Sequence, residues 1–123
     1  MQQGNEIKLE KHDGVILFDV IGDVTAASEP SFARAYSEAN DRDAEKILLQ
    51  FKESTYINSG GISVLIQLLA QSNRKGQVIG ITGISNHFKK IFTMVGITKF
   101  ARIYDTREQA LEDMSGRQGR PSG

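Results

Sequence analysis

The stretch "YINSGGISVLIQLL", Tyr56 to Leu69, sets a polar Asn-Ser pair and two glycines between a strand-like run and a helix-like run. Ile62, Leu65, Ile66 and Leu69 recur at i, i+3, i+4 and i+7, so a helix with one apolar face starts inside this polar group. Just upstream, "KILLQF" (46–51) is short and apolar and reads as a central strand. A strand passing into a helix through a glycine-bearing joint is the connection from which α/β sheets are made. Ser59 has two readings at this joint. It is an N-cap, because a serine oxygen accepts a first-turn N–H, or it is a working residue held at the helix start.

Working outward, the same alternation repeats. Residues 5–11, "NEIKLEK", alternate polar and apolar, and "GVILFDVIGDV" (14–24) reads as a strand covered on both faces. Asp19 interrupts that run and fits a strand-edge position exposed on one side. "SEPSFARAYSEAND" opens with Ser28 and Pro30, both suited to a helix's first turn, and Phe32, Ala35, Tyr36 and Ala39 form its stripe. "QVIGITGI" (77–84) is another buried strand, followed by a helix with Phe88, Ile91, Phe92 and Val95 at helical spacing. Ser85 or Asn86 caps its start, and Gly96 suits its left-handed end. "ARIYD" is a short strand, and the last helix starts at Thr106 with Gln109 three residues on, a capping-box pattern. Ala110, Leu111 and Met114 dock that helix.

These elements predict one α/β domain over 5–114. Its mixed, mostly parallel sheet has four to five strands, with about four helices. The tail 115–123, "SGRQGRPSG", has no apolar residue and is expected to be disordered.

Bulk composition excludes several functions. With 123 residues the chain buries enough surface to fold without staples, and it has no cysteine, which removes thiol catalysis and thiolate-bound zinc. Fifteen basic residues balance fifteen acidic ones, against direct nucleic-acid binding. His12 and His87 are far apart in sequence, so no metal site is expected. The N-terminal segment is polar, neither a signal peptide nor a membrane span, so membrane insertion is not expected and the cytoplasm is the expected location. No Gly-Lys-Ser/Thr follows the glycines, no Gly-x-Ser-x-Gly elbow is present, and Asp19, Asp23 and Asp105 lie on separate elements. No catalytic residue and no cofactor is expected. An enzyme would have to lose turnover on replacement of Ser59 or Asp23.

Three segments in order, "GDVT" (Gly22–Thr25), "INSGG" (Ile57–Gly61) and "MVGITKFARIYDTREQAL" (Met94–Leu111), give the chain its family likeness. Over roughly residues 7–114 it resembles the STAS domain of bacterial anti-sigma factor antagonists. That resemblance implies a phosphorylation-controlled binding module. Unphosphorylated, it docks on an anti-sigma factor that is also a Ser/Thr kinase of the histidine-kinase-like ATPase class; phosphorylation ends the contact, and a phosphatase restores it. The family's Asp-Ser-Ser/Thr-Gly motif falls on Asn58, Ser59, Gly60 and Gly61, which makes Ser59 the implied phosphoacceptor. Two departures stand out: the acid is the amide Asn58, and the second hydroxyl position is Gly60. An acid frequent on the preceding strand is Gln50. The implied docking face is Asp23, Asn58, Ser59, Gly60, Gly61 and Ser63, and Met94 and Val95, if exposed, extend it. The alternative within the same fold is a constitutive accessory subunit of a lipid or anion transporter.

Overall fold

The computed structural model describes residues 5–116. The chain runs β1 (Glu6–His12), β2 (Val15–Ile21), α1 (Glu29–Asp41), β3 (Lys46–Gln50), α2 (Ser59–Arg74), β4 (Val78–Thr82), α3 (Asn86–Met94), β5 (Ala101–Tyr104) and α4 (Arg107–Ser115). Short 3-10 turns at Ala26–Ser28 and Ile97–Lys99 precede α1 and β5. Five strands lie in the order β1-β2-β3-β4-β5, with β1 antiparallel to β2 and every other neighbour parallel. This is the expected mixed, mostly parallel α/β sheet. The tail expected from residue 115 begins inside helix, since Ser115 closes α4 and Gly116 caps it; its remainder lies outside the described residues.

The antiparallel start has a local cause. Asp13 and Gly14 both hold positive φ, 49° and 85°, the two-residue turn whose twist matches a hairpin's. Each later strand returns through a helix, which keeps it parallel.

Residue alternation then divides the core in two. Ile16, Phe18, Val20, Ile47, Leu49, Ile79 and Ile81 face α1, α2 and α3, where Phe32, Leu65, Leu69 and Phe92 meet them. On the reverse face Val15, Leu17 and Leu48 are covered by Ala110 and Met114 of α4, with Leu111 and Tyr104 packed against them. The α1 stripe Phe32, Ala35, Tyr36 and Ala39 is buried as its spacing predicts.

Three local expectations are corrected. In α2, Leu65 and Leu69 are buried but Ile62 and Ile66 are half-exposed, while Val64 and Leu68 point inward. The helix is turned toward α1, where Val64 and Leu68 line a cleft with Phe32 and Tyr36. Asp19 is not on an edge strand: β2 lies between β1 and β3, and the half-buried carboxylate accepts from Gln50 Nε2 at 3.2 Å. Val95 does not complete the α3 stripe but is 46% exposed at the helix end.

Caps follow the sequence more closely. Ser85 Oγ accepts from the Phe88 N–H and Thr106 Oγ1 from the Gln109 N–H. Ser28, by contrast, does not cap α1; its buried hydroxyl accepts from the Thr25 N–H and closes the preceding 3-10 turn.

Candidate functional site

Two loops meet at the start of α2. One follows β2 (Gly22–Thr25) and the other follows β3 (Phe51–Asn58). Val24 and Ile57, both buried, pair as a parallel bridge: the Val24 N–H donates to the Tyr56 carbonyl at 2.9 Å, and the Asn58 N–H to the Val24 carbonyl at 3.1 Å. The loops are thereby fused into one surface. Asp23 is exposed, and its Oδ1 accepts from the Tyr56 N–H at 3.1 Å, so a residue distant in sequence is fixed beside the joint.

The loop after β2 is also held from behind. The Asn5 Nδ2 amide reaches the carbonyls of Ile21, Gly22 and Asp23 at 3.1, 3.0 and 2.9 Å, and the Asn5 N–H donates to Ser31 Oγ at 3.0 Å. Asn5 is 7% exposed. No sequence pattern announces this clamp, because its acceptors are backbone atoms 16 to 18 residues away.

The cap of α2 is Asn58, not Ser59. Asn58 is extended, and its Oδ1 accepts from the Gly61 N–H at 2.9 Å. Ser59 is the first helical residue, with its side chain exposed, and Ser63 lies exposed one turn later on the same side. An amide and a carboxylate cap equally well, so the Asp-to-Asn departure leaves the helix start intact and removes only its charge.

The glycine pair answers to packing. A β-carbon on Gly61 would stand 2.1 Å from the Val24 carbonyl oxygen, and one on Gly60 3.0 Å from the Ala26 Cβ and backbone nitrogen. Side chains here would push α2 off the Val24 loop, so the glycines bring the helix start against its neighbour. The second hydroxyl position of the motif is thus filled by a residue lying against Ala26.

The joint therefore gathers Asp23, Asn58, Ser59, Gly60, Gly61 and Ser63. Gln50 lies at the end of β3 with its amide on Asp19, which places a neutral donor beside a carboxylate where an acid would face one. Tyr56, in the polar turn before the joint, is 57% exposed, and its ring meets Phe88 edge-on at 6.0 Å, which in turn meets His87 at 5.0 Å. The signal for Tyr56 in the sequence is an aromatic at the end of the polar run "KESTY" (52–56). Met94 and Val95 are exposed, at the far end of α3; its near end, at His87 and Phe88, meets the joint.

Chemically, the joint is a helix N-terminus capped by an uncharged amide, with the Asp23 carboxylate on the adjoining loop. The first-turn N–H groups of Ser59 and Gly60 have no partner among the described residues, and such groups carry a partial positive charge that favours an added anion. No group of three or more His, Asp or Glu side chains is placed to hold a metal among the described residues, and no described helix is long and apolar enough to cross a membrane.

Residues 6–110 match the family described as the STAS domain. The chain belongs to that family. It is 24% identical over 110 residues to an anti-sigma F factor antagonist of Paenibacillus polymyxa, covering 89% of this chain and 94% of the relative. Its fold matches the crystal structure of an anti-sigma factor antagonist from Mycobacterium paratuberculosis with a TM-score of 0.73 at 18% identity, over 89% of this chain and 93% of the other. It also matches the Bacillus cell fate determinant SpoIIAA in its phosphorylated form, TM-score 0.63 at 14% identity, over 88% and 98% of the two chains. In this STAS domain the joint is built from the "GDVT" and "INSGG" segments, one from each of the two loops.

Proposed function

We propose that this STAS domain is an anti-sigma factor antagonist of the partner-switching type, whose phosphoacceptor is Ser59. Its partner is an anti-sigma factor that is also a Ser/Thr kinase of the histidine-kinase-like ATPase class, and a phosphatase reverses the modification. The supporting observation is the exposed Ser59 hydroxyl in the first turn of α2, beside Asp23 and on a helix whose cap is supplied by Asn58. Because Asn58 performs the capping, the serine oxygen is not engaged in holding the helix.

The same geometry separates the effect on the partner from the effect on the fold. A phosphate carries about −1.5 to −2 charge at neutral pH. At the N-terminus of α2 that charge is favoured by the helix dipole, so the domain stays folded. Across an interface the same charge brings repulsion and desolvation, so docking ends.

The test is calorimetric titration of the partner kinase with Ser59→Ala and Ser59→Asp proteins, together with phosphopeptide mapping of the protein from growing and stressed cells. Tighter binding of the alanine variant and phosphate on Ser59 that changes with condition are expected. Equal affinities with an unmodified Ser59 would remove the switch. Co-purification with a membrane transporter ATPase would then turn the reading to a constitutive accessory subunit.

A further inference from the structure

The neutral net charge of the chain conceals a segregation. From Ser54 to Tyr104 there is no aspartate or glutamate, and the charged residues are Arg74, Lys75, Lys89, Lys90, Lys99 and Arg102. That segment makes α2, β4, α3 and β5. Of the acids from elsewhere that reach it, Asp105 pairs with Lys89 at 2.7 Å and Asp113 with Arg102 at 3.3 Å, while Glu112 lies near Arg102 and Asp23 accepts the Tyr56 N–H at the joint. Among the described residues Lys90 and Lys99 have no ion pair.

On α3 this basic surface has an apolar floor. Met94 is 81% exposed and Val95 46%. Lys89, Lys90, Thr93 and Met94 line a shallow groove, so two lysines border the exposed thioether, and of these Lys89 is paired with Asp105. The Lys99 stem lies over Gly96, next to Val95. At its other end α3 adjoins the Ser59 joint through the Tyr56–Phe88–His87 ring contacts. One strip runs from the joint along the helix: aromatic first, then apolar with cations at its sides.

We propose that the outer face of α3, from His87 to Val95, is the second half of the docking surface and receives an acidic segment of the partner protein. An apolar side chain of that segment packs on Met94 while its carboxylates meet Lys90 and Lys99. The proposal rests on the docking reading of Ser59 and adds the chemistry of the partner. Continuity with the joint and the small apolar area point to a protein; a nine-residue helix with two exposed apolar side chains buries too little to lie in a lipid surface. Methionine suits the role, since its flexible thioether adapts to the side chain it meets. Asn58, an amide where the family has an acid, adds no charge to repel an acidic partner, and a phosphate on Ser59 does.

The experiment replaces Met94, and in a separate protein Ser63, with photoreactive benzoylphenylalanine in the full chain, crosslinks in the source cells and sequences the attached peptide. Both positions are exposed, so folding is retained and is checked by circular dichroism. Capture of the same partner from both positions, with a peptide rich in Asp and Glu at position 94, is expected. Lys90→Glu with Lys99→Glu should lower the yield at position 94 about tenfold, the effect of losing a well-placed contact. Capture from position 63 with none at 94, a neutral or basic peptide at 94, or a lipid adduct there overturns the proposal and leaves the docking reading standing. Capture from neither position removes both.

Discussion

The α-carbon of Gly61 lies so close to the Val24 carbonyl that a β-carbon would stand 2.1 Å from its oxygen. Backbone, not a flexible side chain, is what such an atom would meet. Gly61→Ala should therefore destabilise the domain by about 1–3 kcal/mol, the cost of forcing extra volume into a packed contact. Urea unfolding measures it. Gly60→Ala, facing Ala26 at 3.0 Å, should cost less; equal losses would show that the Val24 contact is not the constraint.

The Asn58 side chain holds the Gly61 N–H at 2.9 Å. Removing it in Asn58→Ala should cost about 1 kcal/mol, the usual loss on deleting an N-cap. Asn58→Asp should be neutral or slightly stabilising, since a carboxylate caps as well and suits the helix N-terminus. In thermal unfolding Asn58→Ala should lower the midpoint, while Asn58→Asp should leave it unchanged or raise it slightly. Ser59→Ala should leave stability nearly unchanged, because the serine does not cap.

Gln50 donates to Asp19 across the β2–β3 pair. Gln50→Glu replaces that donor with a second carboxylate, and two carboxylates at one site raise the proton affinity of the pair. The sign follows: a raised folded-state pKa gives stability that is present at low pH and lost as pH rises through it. The variant should lose about 1–2 kcal/mol near neutral pH, as an unpaired polar group does, and recover below the ordinary carboxylate range. A pH series of urea midpoints checks this. A constant deficit at all pH values would mean that the two side chains do not face one another.

Tyr104 donates to the Asp113 carboxylate, and burial, followed by that bond and charge, pushes its pKa up to about 12. The folded state prefers the neutral phenol, so its contribution is full below about pH 10, the ordinary tyrosine value, and fades as pH rises toward the folded value. The stability difference between the native protein and Tyr104→Phe should be flat up to that point and shrink above it. Solvent screening at a half-exposed site keeps the difference under about 1 kcal/mol. Spectrophotometric titration of the phenol gives an independent reading.

Much of the fold was legible because its signals are local. The stripe Phe32, Ala35, Tyr36 and Ala39 marks a helix face at one fixed spacing, and the runs 46–51 and 77–84 mark buried strands by composition. Ser85 and Thr106 cap through atoms three residues away. The hairpin between β1 and β2 was also written locally, in the Asp13–Gly14 turn.

By itself the sequence determined an α/β domain with parallel crossovers, the existence of the Ser59 joint, and which residues are chemically able to act there. These follow from periodicity, turn chemistry and residue type, all short-range. Tertiary structure alone decided how they act. Whether Ser59 or Asn58 caps α2 depends on a one-residue difference in where the helix begins, and at that start Gly61 packs against the Val24 backbone. Asp19 is an interior, half-buried carboxylate rather than an edge one because β1 adds outside β2 and Gln50 faces it. Asn5 clamps the Asp23 loop through carbonyls that no side-chain pattern encodes. Long-range contacts are made by backbone atoms and by the rotation of whole helices, and neither leaves a mark on the order of residues.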